Sequence, residues 1–164
     1  MKRVVSILTS TVIIISSISS CKKASTSAPI AAGIPTSQWT FNGVTDTGSS
    51  TVFATQGSTN LIESNDVISD SLTNFILLQF GSAPINNEKF SVGYKTSPDS
   101  GQCVIGVGYI DASHTVTLVG QGAGSTTDSV TVTIVNGKYH ATFSNIVINQ
   151  YNTFTGLSGA LIQQ

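Results

Sequence analysis

From Trp39 onward the sequence predicts an all-β domain, and three observations carry that prediction. β-Branched and aromatic residues recur in short blocks, Gly, Asn, Asp and Ser separate those blocks at short intervals, and no stretch holds a convincing helical repeat of apolar residues. Candidate strands lie near 39–45, 50–55, 59–63, 73–80, 89–95, 102–110, 114–119, 128–135, 138–148 and 156–162. Short strands at this spacing fit an antiparallel β-sandwich or a closed β-barrel of about 8–10 strands. A helix is the alternative only at Leu61 to Leu72, where Glu63, Asp66 and Asp70 would share one helical face.

Two segments of another kind precede the domain. Lys2 and Arg3 form a basic start, Val4 to Ile18 a Ser/Thr-studded apolar run, and Ile18-Ser19-Ser20-Cys21 its end. The uninterrupted apolar stretches are too short to span a bilayer, so residues 1–20 read as a cleaved signal peptide. Residues 21–38 combine Lys22 and Lys23 with small residues and two prolines, without usable periodicity, which reads as a flexible tether to the domain at 39–164.

Within the domain, the best-determined element is the hairpin at Asn136-Gly137, residues that readily take the positive φ angles of a type I′ turn. A two-residue loop sets Val135 opposite Lys138, Ile134 opposite Tyr139, Thr133 opposite His140, and so on to Val130 opposite Phe143. Val130, Val132, Ile134, Tyr139, Ala141 and Phe143 then share one face, and a slip by one residue would turn them to water. The same alternation groups Phe90, Val92 and Tyr94. It also groups Cys103, Ile105, Val107 and Tyr109, opposite Gly106 and Gly108. Both faces of Phe75 to Phe80 are largely apolar, as in a strand covered on both sides. Cys103 reads as a buried core thiol.

Charge narrows the range of partners. The chain has 7 Lys+Arg against 8 Asp+Glu, and only 9% of its residues are charged. Arg3 is its one arginine; beyond Lys23 three lysines face eight acids, a net −5. Nucleic acid is excluded, because counterion release needs clustered Lys and Arg. Lack of arginine also argues against tight recognition of phosphates or carboxylates.

Candidate chemistry has simpler structural readings. Asp111, Ser113 and His114 stand too close in sequence for a triad, which is assembled from separate elements, and read as a hairpin turn. His140 falls on a polar strand face. Gly156-Leu157-Ser158-Gly159-Ala160 resembles a nucleophile elbow but lacks its fifth glycine and its helix, and reads as a C-terminal strand. Gly120-Gln121-Gly122-Ala123-Gly124 reads as a flexible loop, since a phosphate cradle would need a helix behind it. Glu63, Asp66 and Asp70 read as a solvated acidic face. No catalytic residue, metal or cofactor is assigned.

Ile18-Ser19-Ser20-Cys21 closely resembles a bacterial lipobox, in which a branched aliphatic residue and two small residues precede the cysteine. The resemblance implies cleavage between Ser20 and Cys21 and lipidation of Cys21 with diacylglycerol and palmitate. Cys103 is then left without an intramolecular partner. Together with Trp39-Thr40-Phe41-Asn42-Gly43, Gly-Lys-Tyr-His-Ala-Thr-Phe at 137–143 and the closing Leu-Ser-Gly-Ala-Leu, the chain resembles short cell-envelope lipoproteins of Bacteroidota. Asp70-Ser71-Leu72 and Asp128-Ser129-Val130 resemble that phylum's O-glycosylation sequon, which would modify Ser71 and Ser129. The resemblance implies a lipid-anchored envelope protein with a non-catalytic β domain that binds an envelope protein or glycan or serves a structural role. Surface-exported members of that phylum often carry acids just after the cysteine; here the first acid is Asp46, so the resemblance implies the periplasmic face of the outer membrane. A lipocalin-like carrier of an apolar ligand is the alternative, and a small hydrolase using His114, His140 or Ser158 a remote one.

Overall fold

A computed structural model describes residues 36–57, 59–125 and 127–164. The signal segment, Ser20, Cys21 and the spacer through Pro35 lie outside them.

The described chain is all-β, in eleven strands: β1 (Ser37–Phe41), β2 (Val44–Gly48), β3 (Ser50–Gln56), β4 (Thr59–Ser69), β5 (Leu72–Phe80), β6 (Glu88–Val92), β7 (Gln102–Asp111), β8 (Val116–Gly122), β9 (Ser129–Val135), β10 (Lys138–Gln150) and β11 (Thr153–Ile162). Pairing runs β2-β1-β11-β10-β9-β6-β7-β5-β4-β3. The inward side chains of both ends of this path share one core, so β2-β1-β11-β10 face β3-β4-β5-β7 as the two layers of a sandwich.

One lateral edge of the sandwich is closed by strand pairing; at the other, β2 and β3 end the path of pairing and only the chain itself joins the layers. On one side β8 pairs with β7 and with β10, completing a five-strand ring, β10-β9-β6-β7-β8. On the other side the chain passes from β2, paired with β1, through Ser49 into β3, paired with β4. A strand that changes sheets needs a corner, and Gly48 makes it possible: a Cβ there would collide with Ser64 Oγ and Ser37 Cβ. Ser37, Thr51 and Ser64, all buried, satisfy one another at this corner. Thr51 Oγ1 lies 2.5 Å from Ser37 Oγ and 2.8 Å from Ser64 Oγ, and Ile162 N–H donates to Ser37 Oγ at 2.7 Å. Such hydroxyls cost little in a core because each has a partner.

The expected hairpin register is the observed one from Val135↔Lys138 to Val130↔Phe143, with positive φ at Asn136 and Gly137. Four expectations change. The 39–45 strand is a second Asn-Gly hairpin: Asn42 and Gly43 have φ of 52° and 75° and separate β1 from β2. Leu61 to Leu72 is no helix, because β4 is paired on both sides, to β3 and β5, with Ile62 and Ser64 facing inward. Asn60, Ser64, Asn65 and Asp66 are weak helix formers in any case. Strand β6 ends at Val92, so Tyr94 is 69% exposed instead of following Phe90 and Val92 into the core. Gly120 to Gly122 belong to β8, and the connecting loop starts only at Ala123.

Trp39, Phe80, Phe90, Ile62, Ile76, Leu78, Ile105, Ile146, Ile148, Leu157 and Leu161 fill the interior, and Phe80 meets Phe90 edge-on at 4.8 Å. Full burial of one such side chain is worth roughly 1.5–3 kcal/mol.

Candidate functional site

Where the interior of the sandwich reaches one end, its lining changes from apolar to polar, and the cause is register. In β1, Ser37, Trp39 and Phe41 point inward; the two-residue turn pairs Trp39 with Asp46, so Asp46 shares that inward face. From the opposite layer, β5 presents Asn74 on the face of Ile76, Leu78 and Phe80. Strand β7 presents Tyr109 beside it, in line with Cys103, Ile105 and Val107. Asn74 Nδ2 donates across the gap between layers to Asp46 Oδ1 at 2.8 Å, and Asp46 is 7% exposed.

Asp46, Asn74 and Tyr109, with Trp39, Phe41, Asn42, Val44, Phe75, Val107, Gly108 and Val119, line a pocket of about 260 Å³. Asn42 Nδ2 donates to Gln150 Oε1 at 3.0 Å, which ties the β1–β2 turn to the end of β10. A mostly apolar hollow with a few fixed polar groups is the general form of a small-ligand site. Among the described residues Asp46 is the only carboxylate on its wall, and no lysine or histidine lines it. None of its polar residues was singled out from the sequence. A signal was available in Asn42-Gly43, the same dipeptide that fixed the 136–137 hairpin.

A second pocket, of about 290 Å³, lies where β6 leaves the sheet, between Tyr94, Lys95, Gln102, Gly124 and Ser125. Its Lys95 is already engaged, Nζ standing 2.6 Å from Asp99 Oδ2.

The residues weighed for chemistry are dispersed. Asp111 Oδ1 accepts from Ser113 Oγ at 2.6 Å, Ser113 N at 2.9 Å and Thr115 N at 3.0 Å. The bond from the Ser113 hydroxyl, then that from the Thr115 N–H, lowers the Asp111 carboxyl pKa below its usual range. His114 takes no part in these bonds and sits exposed in the turn at φ 62°, two residues before β8 begins. His140 lies opposite Thr133, as expected. Ser158 lies in β11, where its Oγ accepts from Asn145 N at 2.9 Å.

The acidic trio does not form a solvated face. Glu63 is buried on the outer side of β4, accepting from Asn65 at 3.0 Å; Asp66 points the other way and accepts from Thr47 N; Asp70 is in the β4–β5 turn. Among the described residues no three of His, Cys, Asp or Glu gather in a metal-binding group. Cys103 is fully buried, and burial pushes its thiol pKa up to about 12. Ser71 is exposed at the β4–β5 turn, whereas Ser129 is half-buried and paired with Ser91.

The chain matches no family model, no curated protein and no solved structure.

Proposed function

We propose that the protein is a lipid-anchored cell-envelope lipoprotein, held through Cys21 on the periplasmic face of the outer membrane, with a non-catalytic β domain that binds a partner at the pocket between β1–β2 and β5–β7. The resemblance of residues 18–21 to a lipobox supports the anchor. The binding role rests on one observation: Asp46 and Asn74 meet across the two layers in a hollow at one end of the sandwich, beside Phe41 and Tyr109. The continuous cluster of buried apolar side chains behind it supports binding at that mouth over carriage of an apolar ligand inside.

Photo-crosslinking in cells tests this reading. A photoreactive residue at Val44, which is 60% exposed on the pocket wall, should give a discrete adduct that is absent from the same probe at Ile85, 66% exposed elsewhere. Identical patterns from the two positions would contradict it.

A further inference from the structure

Resting on that reading of the mouth pocket, we propose that its ligand is one ring of a neutral saccharide. Its hydroxyls are held by Asp46 and Asn74, and its C–H face lies against Phe41 and Tyr109.

The hydrogen-bonding groups left free in the pocket define what it can hold. The Asn74-to-Asp46 bond fixes both side chains and leaves Asp46 Oδ2, Asn74 Oδ1 and the second Asn74 amide hydrogen without a side-chain partner among the described residues. Tyr109 adds a hydroxyl and Asn42 an amide at the rim. Donors and acceptors therefore stand side by side. A sugar hydroxyl, which donates and accepts, can use both kinds; an ammonium only donates and would leave the amide hydrogens unused. Anions are disfavoured by the Asp46 carboxylate, by the absence of any cation among the described residues of the wall and by the net −5 of the chain beyond Lys23.

Size and wall chemistry point the same way. A volume of about 260 Å³ falls below the roughly 300–1,000 Å³ of pockets that engulf a drug-sized ligand, so one ring enters and the rest of a glycan stays outside. Phe41 and Tyr109 are both half-buried, leaving part of each ring facing the pocket. Aromatic side chains of this kind combine apolar contact area with, for tyrosine, a polar tip.

The test uses the full-length protein, purified from membranes in detergent, on a printed array of neutral, anionic and amine-bearing glycans, with affinities then measured by calorimetry. Neutral glycans should be retained. Asp46→Asn, which keeps the shape of the side chain, should weaken their binding at least tenfold, and Tyr109→Phe, which removes one hydroxyl, about threefold. Circular dichroism confirms that each variant is folded. A blank array, a preference for anionic or amine-bearing glycans, or affinity unchanged in both variants overturns the proposal. If the array is blank while the Val44 adduct persists, the saccharide falls and the binding pocket stands; if both are blank, the pocket reading falls as well.

Discussion

Cys103 and Asp111 show how far single side chains are set by their surroundings. Burial alone raises the Cys103 thiol pKa to about 12, and the thiolate is the reactive form. In the folded protein Cys103 should therefore resist a thiol reagent at about pH 8, and react fully once the chain is unfolded in guanidinium; rapid labelling of the native protein would contradict its placement. Asp111 works in the opposite direction, because its folded pKa lies below the unfolded value of about 3.9. Its stabilisation is present above that unfolded value and is lost as pH falls through the lowered folded one. The midpoint of thermal unfolding should drop in Asp111→Ala at neutral pH, and the difference should shrink as the pH is taken below the ordinary carboxylate range. The burial of Cys103 was legible from strand alternation. The inward position of Asp46 was not, because it depends on a turn two residues long: with 39–45 taken as one strand, Asp46 fell beyond its end.

Glycines decide where elements can cross. Strand β8 reaches both β7 and β10 only because its glycines leave room: a Cβ at Gly120 would strike Ile148, and one at Gly122 would strike Val92 and Ile105. Gly122→Val should cost about 1–3 kcal/mol, the usual penalty of overpacking. Gly156, also in a strand, has open space around its Cβ position and an ordinary φ, so Gly156→Ala should be neutral or stabilising by about 0.4–1 kcal/mol. Denaturant unfolding of the two variants checks both; equal losses would contradict the crossing argument. Composition alone gave Gly120 to Gly124 the look of a loop; that holds for Gly124, at φ 78°, whereas the reason for Gly120 and Gly122 is a tertiary neighbour, not a local turn. The β9–β10 hairpin was legible for the converse reason: its turn and its alternation are both local and demand the same register.

At the scale of the molecule, the all-β class followed from many short strands punctuated by turn residues. The ring closed by β8 did not, because β8 joins strands whose contacts are distant in sequence. The buried apolar cluster carries its own expectation: the full-length protein should take up no fluorescent fatty acid into its core, and stoichiometric uptake measured by fluorescence titration would instead favour a carrier. Everything proposed for the domain presumes that it works from a membrane foot, and Cys21 is the residue on which that depends. Metabolic labelling with a radioactive fatty acid measures this directly. Label on the wild-type protein and none on Cys21→Ala is the expected result, whereas an unlabelled wild type, or label that survives the substitution, would overturn the anchor.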